Sequence, residues 1–255
     1  IEGEAAIDRY LNGTLDDLYD PMLLKDMERA VSILCEAVDT GKKIRIVGDY
    51  DIDGVCSTYI LLQAFERLGG DVDFEIPDRI KDGYGINESI IEQAHADGVE
   101  VILTCDNGIS AFHQVELAKK YGMTVVITDH HEVPLDGEKE KIPPADAVID
   151  PKQADCPYPF PEICGAVVAY KLVQVLYARR GVPQMEWLDL LEFAAIATVG
   201  DVMKLQDENR ILVKYGLKKM AQTKNLGLRR LAEKNNLDLG AITAYHIGFV
   251  IGPCL

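Results

Sequence analysis

Short apolar runs alternate with longer segments of helical spacing through the first two thirds of the chain. The apolar runs predict strands over residues 44–47, 72–76, 99–104, 124–128 and 147–150. The segments between them predict helices over residues 55–68, 88–96 and 110–121. Short apolar strands separated by helices are typical of a parallel sheet that is covered on both faces. We therefore predict an α/β fold with a Rossmann-like, mostly parallel sheet flanked by helices.

The pattern becomes mainly helical after a polar loop at residues 132–145 and a proline-rich connection at 156–165. It predicts helices over residues 166–180, 185–199, 207–221 and 226–235. We divide the chain into an N-terminal helical segment (1–40), an α/β metal-binding core (41–165) and a helical remainder (166–255). The last eleven residues, YHIGFVIGPCL, are apolar, and we expect the chain to be a piece of a longer protein.

Composition narrows the class of protein. No apolar run approaches the roughly 18 to 20 residues of a transmembrane helix, and the first residues lack the layout of a signal peptide. The six cysteines form no C-x-x-C pair, which predicts reduced thiols in a cytoplasmic protein. From the apolar pattern we expect no membrane partner. The net charge of -16 argues against nucleic-acid binding over the whole surface, although a local basic groove remains compatible with it.

Polar clusters follow three of the predicted strands. Strand 44–47 leads into Asp49, Asp51 and Asp53, strand 99–104 into Asp106-Asn107-Gly108, and strand 124–128 into Asp129-His130-His131. Ligands of open parallel sheets bind at the carboxyl ends of the strands, so we expect these clusters to share one edge. A further acid, Asp201, follows an apolar helix and is within reach of that edge.

Several chemistries fit such acids. An EF-hand loop opening at Asp49 requires a glutamate at its twelfth position, which is Ile60 here. An aspartate after a strand is as often a helix cap as a ligand. Four or more carboxylates at one edge would repel one another unless cations lay between them. We therefore expect a site for two ions at this edge, Mn²⁺ or Mg²⁺, that activates water to cleave phosphate esters.

The ordered motifs resemble those of a known family. GDYDIDG (48–54), TCDNG (104–108) and TDHH (128–131) are similar to successive signatures of the DHH phosphoesterases. IPDRIKDGYG (76–85), ADAVIDPKQADCPYPFPEICGAVVAYKL in outline (145–172) and TVGDVMKLQDENRILVKYGL (198–217) narrow the resemblance to the RecJ family of single-stranded-DNA exonucleases. The resemblance extends from about residue 20 to the end of the sequence.

This resemblance implies roles for individual residues. The metal ligands would be Asp51, Asp53, Asp106, His130 and Asp201, with Asp49 as a further ligand or a supporting acid. On this resemblance we expect Asp51 and Asp53 to be metal ligands rather than helix caps. His131 would contact the scissile phosphate, Asp129 would orient the histidine pair, and Arg79 would bind substrate phosphate. Backbone and side chains that shape the substrate path would be Gly83, Tyr84, Gly85, Asn107 and Gly108.

The same resemblance implies 5′ to 3′ degradation of single-stranded DNA in DNA repair and recombination, with a helicase or a single-strand-binding protein as a possible partner. The sequence departs from the family pattern at Gly200, where alanine is usual, and it stops where the family continues into a DHHA1-type domain and an OB-fold.

Four other functions compete with this interpretation. A DHH phosphodiesterase for small substrates, such as oligoribonucleotides or cyclic dinucleotides, would suit the acidic balance. A pyrophosphatase of the same superfamily is a further possibility. However, the pyrophosphatase-like and cyclic-dinucleotide branches place a metal-binding histidine where this chain has Val47. A Cdc45-like scaffold would lack ligands, whereas every ligand position is filled here. A dinucleotide-binding oxidoreductase would need a G-x-G-x-x-G motif after the first strand, which is missing.

Overall fold

The structure, a computed structural model, describes residues 3–80 and 85–254, without the side chains of Ala5 and Ala6. Its strands are β1 (Ile44–Val47), β2 (Val72–Glu75), β3 (Val101–Cys105), β4 (Thr124–Thr128), β5 (Leu135–Asp136), β6 (Lys139–Glu140) and β7 (Ala147–Ile149). Its helices up to the last strand are α1 (Glu4–Asn12), α2 (Met27–Thr40), α3 (Ile52–Arg67), α4 (Glu88–Ala96) and α5 (Phe112–Lys120). The helices that follow are α6 (Gly165–Arg179), α7 (Gln184–Leu188), α8 (Leu191–Gly200), α9 (Asp207–Met220), α10 (Leu226–Lys234) and the short α11 (Ala244–His246).

Five strands form one parallel sheet in the order β2-β1-β3-β4-β7. The three central strands are buried almost throughout because helices cover both faces, whereas β2 at the edge is half-exposed. This arrangement confirms the predicted α/β fold. All five strands point the same way, so their carboxyl ends and the clusters that follow them lie along one edge.

The sheet separates two hydrophobic cores. Ile44 and Ile46 of β1 belong to the first core, together with side chains from α2, α3, α6 and α8. Ile102 of β3 and Ile127 of β4 belong to the second core, which α4 and α5 cover. The alternation of strand residues between these cores follows from the two-residue period of a strand.

Two predicted segments differ from the structure. The helix predicted over residues 185–199 is two helices, α7 and α8, because the chain turns at Asp189 and Leu190. The carboxylate of Asp189 binds Lys219 there, while Leu190 is buried. The polar loop predicted over 132–145 contains a small antiparallel hairpin of β5 and β6, whose turn includes Gly137 at a φ of 67°. A turn glycine with positive φ is the usual means of closing so short a hairpin.

Two expectations drawn from composition can be compared with the structure. All six cysteines are free thiols, as predicted. Within residues 3–80 and 85–254, no helix has both the length and the apolar character needed to cross a bilayer.

Candidate metal centre

The loop between β1 and α3 carries the first three acids. The Oδ1 atom of Asp51 accepts hydrogen bonds from the backbone N–H groups of Asp53 and Gly54, both at 3.0 Å, so Asp51 is the N-cap of α3. Gly54 is required for this tight turn, because a Cβ atom there would lie 2.4 Å from the backbone oxygen of Asp49. The expectation that Asp51 would not cap a helix was wrong. The cap also explains why α3 begins at Ile52, three residues before its predicted start.

Asp53 caps a different helix. Its Oδ2 atom accepts from the N–H of Gly165 and its Oδ1 atom from the N–H of Ala166, each at 2.7 Å. These are the first two residues of α6, so the expectation that Asp53 would not cap a helix was also wrong. Capping uses one lone pair of each oxygen, and a carboxylate oxygen has others with which to bind a cation.

Asp106 lies at the end of β3 in a left-handed backbone conformation, with a φ of 61°. Aspartate tolerates this conformation better than most residues do. The following turn needs Gly108, whose φ is 118° and whose Cβ would lie 2.6 Å from the hydroxyl of Thr104. Burial, and then the neighbouring charge of Asp53, raise the pKa of Asp106 well above its usual range. Such a carboxylate gains from a nearby cation, because the cation stabilises its ionised form.

The histidine pair follows β4. The Nε2 atom of His130 lies 3.0 Å from Oδ1 of Asp106, 3.4 Å from Oδ2 of Asp53 and 3.9 Å from Oδ2 of Asp201. Burial lowers the pKa of His130, which favours the neutral imidazole that metal ligation requires. Among the described residues, its Nδ1 atom has no hydrogen-bond partner.

Asp129 is buried behind the pair. Its Oδ1 atom accepts from Nδ1 of His131 at 2.7 Å and from the backbone N–H of His130 at 2.7 Å, and its Oδ2 atom accepts from Ile109. Burial alone would raise the pKa of Asp129, but these hydrogen bonds hold it below its usual value. The same bond raises the pKa of His131, whose side chain is 43% exposed on the open side of the cluster. Asp129 therefore orients the ring of His131, while it holds His130 through the backbone alone.

Asp201 reaches the cluster from the end of α8. Burial raises its pKa to about 6. The preceding residue, Gly200, packs against α3, and a Cβ atom there would lie 2.6 Å from two side-chain carbons of Ile52. The bulk of Ile52 thus occupies the space that an alanine at position 200 would need.

Three overlapping groups of these side chains could hold metal ions, and in each group the ligand atoms all lie within 4.8 Å of one another. The groups are Asp53, His130 and Asp201; Asp106, His130 and His131; and Asp49, Asp51 and Asp106. Asp106 and His130 each belong to two groups. The carboxylate of Asp106 has two oxygens with which it would bind neighbouring ions, whereas the neutral imidazole of His130 has one free lone pair and would bind one ion. Burial raises the pKa of Asp49, as it does for Asp106 and Asp201, and cations would offset this cost.

The residues that were predicted to bind substrate differ in their exposure and in their contacts. Arg79 is exposed, and its guanidinium lies 5.1 Å from the ring centroid of Tyr50, the residue that separates the first two acids in the sequence. Gly85 has a φ of 66°, and its N–H hydrogen-bonds to the carboxyl of Asp49.

The amide of Asn107 is buried and donates to the carbonyls of Val47 and Cys105, which fixes the turn after β3. Contact between Asn107 and substrate stays a prediction, and Gly83 and Tyr84 lie outside the described residues.

Asp150 also lies at this edge of the sheet, although the sequence motifs did not assign it to the site. It directly follows β7, just as the other acids follow their strands, and this position could have indicated it. Its side chain is fully buried, Oδ1 accepts from the N–H of Lys152, and Oδ2 has no partner among the described residues. Burial, and then the charge of Asp129, raise its pKa to about 7.

Comparison with known proteins agrees with this geometry. The sequence is 40% identical to the single-stranded-DNA-specific exonuclease RecJ of Bacillus subtilis over 239 residues, which cover 94% of this chain and 29% of that protein. It is 37% identical to the RecJ exonuclease of Escherichia coli over 243 residues, which cover 91% of this chain and 41% of that protein. The chain therefore spans less than half the length of these relatives.

Two solved structures are similar along most of the chain. A crystal structure of exonuclease RecJ bound to manganese matches with a TM-score of 0.79 and 35% identity, over 90% of this chain and 56% of that one. RecJ of Thermus thermophilus in complex with Mn²⁺ matches with a TM-score of 0.74 and 32% identity, over 90% of this chain and 32% of that one. The profile of the DHH family, N-terminal domain, matches residues 43–198, which hold every candidate ligand except Asp201. Together with the three ligand groups at the sheet edge, this match shows that the chain belongs to the DHH family.

Proposed function

We propose that the chain carries the two-metal centre of a phosphodiesterase that degrades single-stranded DNA from its 5′ end. The observation that carries this proposal is the overlap of the ligand groups, since Asp106 belongs to two of them and each of its two oxygens can bind a cation. Dinuclear sites of this kind are typical of enzymes that cleave phosphate esters. The similarity to RecJ exonucleases, two of them crystallised with manganese, supports the substrate and the metal, and the polarity rests on the family resemblance of the motifs.

In this proposal the metal ligands are Asp49, Asp51, Asp53, Asp106, His130 and Asp201. The mixture of carboxylates with a neutral imidazole favours Mn²⁺, with Mg²⁺ as a substitute. Divalent ions bound there supply Lewis-acid activation of water and neutralise the charge on the phosphate.

The neighbouring side chains act on the substrate. Asp129 holds His131 through Nδ1, and the raised pKa of His131 keeps more of its ring protonated near neutral pH. A protonated ring at this exposed position donates a hydrogen bond to an oxygen of the scissile phosphate. Arg79, exposed above Tyr50, pairs with a neighbouring phosphate of the strand.

Substrate binding in this proposal also uses backbone near the acids. The sequence motif assigns substrate contact to Gly83, Tyr84 and Gly85, and Asn107 and Gly108 shape the turn after β3. With a net charge of -16, DNA must be bound by such local contacts rather than by the general surface field.

The wider context belongs to the same proposal. The α/β core of residues 41–165 and the helical remainder of residues 166–255 together form the metal-binding half of a cytoplasmic enzyme of DNA repair and recombination. Its partners are single-stranded DNA and a helicase or a single-strand-binding protein. The relatives support this scheme because the RecJ proteins of Bacillus subtilis and Escherichia coli are each more than twice as long as the aligned part.

The test is Mn²⁺-dependent hydrolysis of three substrates by this chain: a 5′-phosphorylated single-stranded DNA oligomer, its duplex and a dinucleotide. The control is Asp106→Asn, which removes a ligand charge but keeps a residue that tolerates the left-handed backbone at this position. We expect degradation of the single strand alone, with a loss of at least 100-fold in the control variant, as a lost ligand implies.

The alternatives predict other outcomes. Cleavage of the dinucleotide alone would place the chain with the small-substrate branch. Absence of cleavage together with absence of Mn²⁺ binding in calorimetry would contradict the proposed metal centre and favour a scaffold.

A further inference from the structure

The N-terminus of α6 lies directly against two of the proposed ligands. Both oxygens of Asp53 accept from it, at 2.7 Å from Gly165 and 2.7 Å from Ala166, and the carboxylate is 1% exposed. Residues 163–173 are all buried, so α6 is fixed in the core rather than lying on the surface.

Gly165 also packs against Asp106. A Cβ atom at position 165 would lie 2.7 Å from Cβ, 2.8 Å from Oδ1 and 2.9 Å from Cα of Asp106. Distances this short require the two chain segments to move apart. One glycine therefore touches two acids that come from different strands, and its lack of a side chain sets their separation.

Apart from the N–H groups of Gly165 and Ala166, few groups compensate the negative charge of Asp53. Among the described residues, its one ion-pair contact is with Nε2 of His130 at 3.4 Å, and burial disfavours a charge on that imidazole. A buried carboxylate without a basic partner needs hydrogen bonds to its charged form. The first N–H groups of a helix provide such bonds, and the helix dipole adds to them.

We infer that the start of α6 is a positioning element of the metal centre: the N–H groups of Gly165 and Ala166 aim the carboxylate of Asp53, and the bare Cα of Gly165 sets its distance from Asp106. This inference rests on the proposed function, because it assumes that both acids bind the ions. It assigns Gly165 and Ala166 to the site although neither has a side chain that could bind metal.

Two variants test the two contacts separately. Gly165→Ala inserts a methyl group against Asp106, whereas Ala166→Pro removes one N–H donor to Asp53 at a helix position where proline is tolerated. We expect each variant to raise the Mn²⁺ dissociation constant by 10- to 100-fold, the usual effect of altering groups that hold ligands in place. The measurement is titration with Mn²⁺, followed by calorimetry and by the electron paramagnetic resonance signal of unbound Mn²⁺.

The matched control is Gly70→Ala, at the opposite edge of the sheet, where a Cβ would make only ordinary contacts of 3.4 Å or more. Thermal unfolding in EDTA shows whether each variant is folded before metal is added. A purely structural role would lower the unfolding temperature and leave the dissociation constant of the folded protein unchanged. Wild-type affinity, within twofold, in folded Gly165→Ala and Ala166→Pro would overturn the inference.

A measurement on the wild type makes the test independent of variant folding. Mg²⁺ withdraws electron density from a carboxylate that it binds, so the amide proton resonances of Gly165 and Ala166 should shift upfield on titration, with Gly70 unchanged. Saturable Mg²⁺ binding without a shift at either amide would overturn the inference. Absence of Mg²⁺ and Mn²⁺ binding by the wild type would instead contradict the proposed function.

Discussion

Asp51 and Asp53 stand two residues apart in one loop, yet their carboxylates hold different helices. Asp51 accepts two N–H groups through a single oxygen, Oδ1, whereas Asp53 uses both of its oxygens for α6. Asparagine has one acceptor oxygen, so it can replace the first carboxylate as a cap but not the second. Each acid therefore has a structural role in addition to its proposed metal ligation.

This difference leads to a prediction for Asp51→Asn and Asp53→Asn. Each variant removes one negative charge that raises the pKa of Asp106, so both relieve repulsion between these carboxylates. We expect Asp53→Asn to be less stable than Asp51→Asn by about 1 to 3 kcal/mol, because its amide would face an N–H donor of α6. Both variants should lose Mn²⁺ affinity. Chemical unfolding in EDTA measures the first effect, and equal stability of the two variants would contradict the capping role of Asp53.

Among the elements, α6 and α9 are joined by a buried ion pair. The Nζ atom of Lys171 lies 3.0 Å from Oε2 of Glu208, and the two side chains are 1% and 0% exposed. Lys171 also donates to the carbonyl of Tyr19, and the hydroxyl of Tyr158 donates to Glu208. The cluster holds the segment between α1 and α2 against the middle of α6, the helix whose N-terminus donates to Asp53.

Glu208→Ala should therefore destabilise the protein by about 3 to 5 kcal/mol, since it leaves Lys171 buried without a counter-charge. The double variant Lys171→Met with Glu208→Gln should recover most of this loss, because it removes both charges and keeps an acceptor for Tyr158. Denaturant unfolding of the two proteins provides the comparison. A double variant as unstable as Glu208→Ala would show that packing, rather than the unpaired charge, is decisive.

For the whole molecule, the crowded acids make stability depend on pH and on metal. Burial raises the pKa of Asp150 to about 7 and that of Asp201 to about 6. The folded state therefore binds more protons than the unfolded state between about pH 4 and pH 7. The stability from these groups is complete below their unfolded pKa values and is lost as the pH rises through 6 and 7.

We expect the metal-free protein to become less stable between pH 5 and pH 8, and the stabilisation by Mn²⁺ to be larger at pH 8. A rise in pKa from 3.8 to about 7 corresponds to at most roughly 4 kcal/mol for Asp150. Asp150→Asn should remove part of this loss, because it keeps the acceptor for Lys152 and cannot ionise. The measurement is the unfolding temperature in EDTA between pH 5 and pH 8. A dependence on pH that Asp150→Asn leaves unchanged would contradict the predicted contribution of Asp150.

Local patterns predicted much of the fold. Five strands, their parallel arrangement and the helices between them follow from apolar runs and helical spacing, which report burial on one or both faces. The break at Asp189 and the hairpin of β5 and β6 were missed, since the first lies where Leu190 is buried by the rest of the fold and the second closes through a turn of only two residues.

The sequence by itself determined that acids and histidines follow strands of one parallel sheet, because strand direction forces those loops to a common edge. Only the tertiary structure decided that the N-terminus of α6 meets Asp53, that Gly165 touches Asp106, and that Asp201 comes within 3.9 Å of His130. These contacts join residues more than 50 positions apart, so no local pattern encodes them. Their distances follow from the packing of helices on the sheet, which fixes where each backbone N–H and each carboxylate lies.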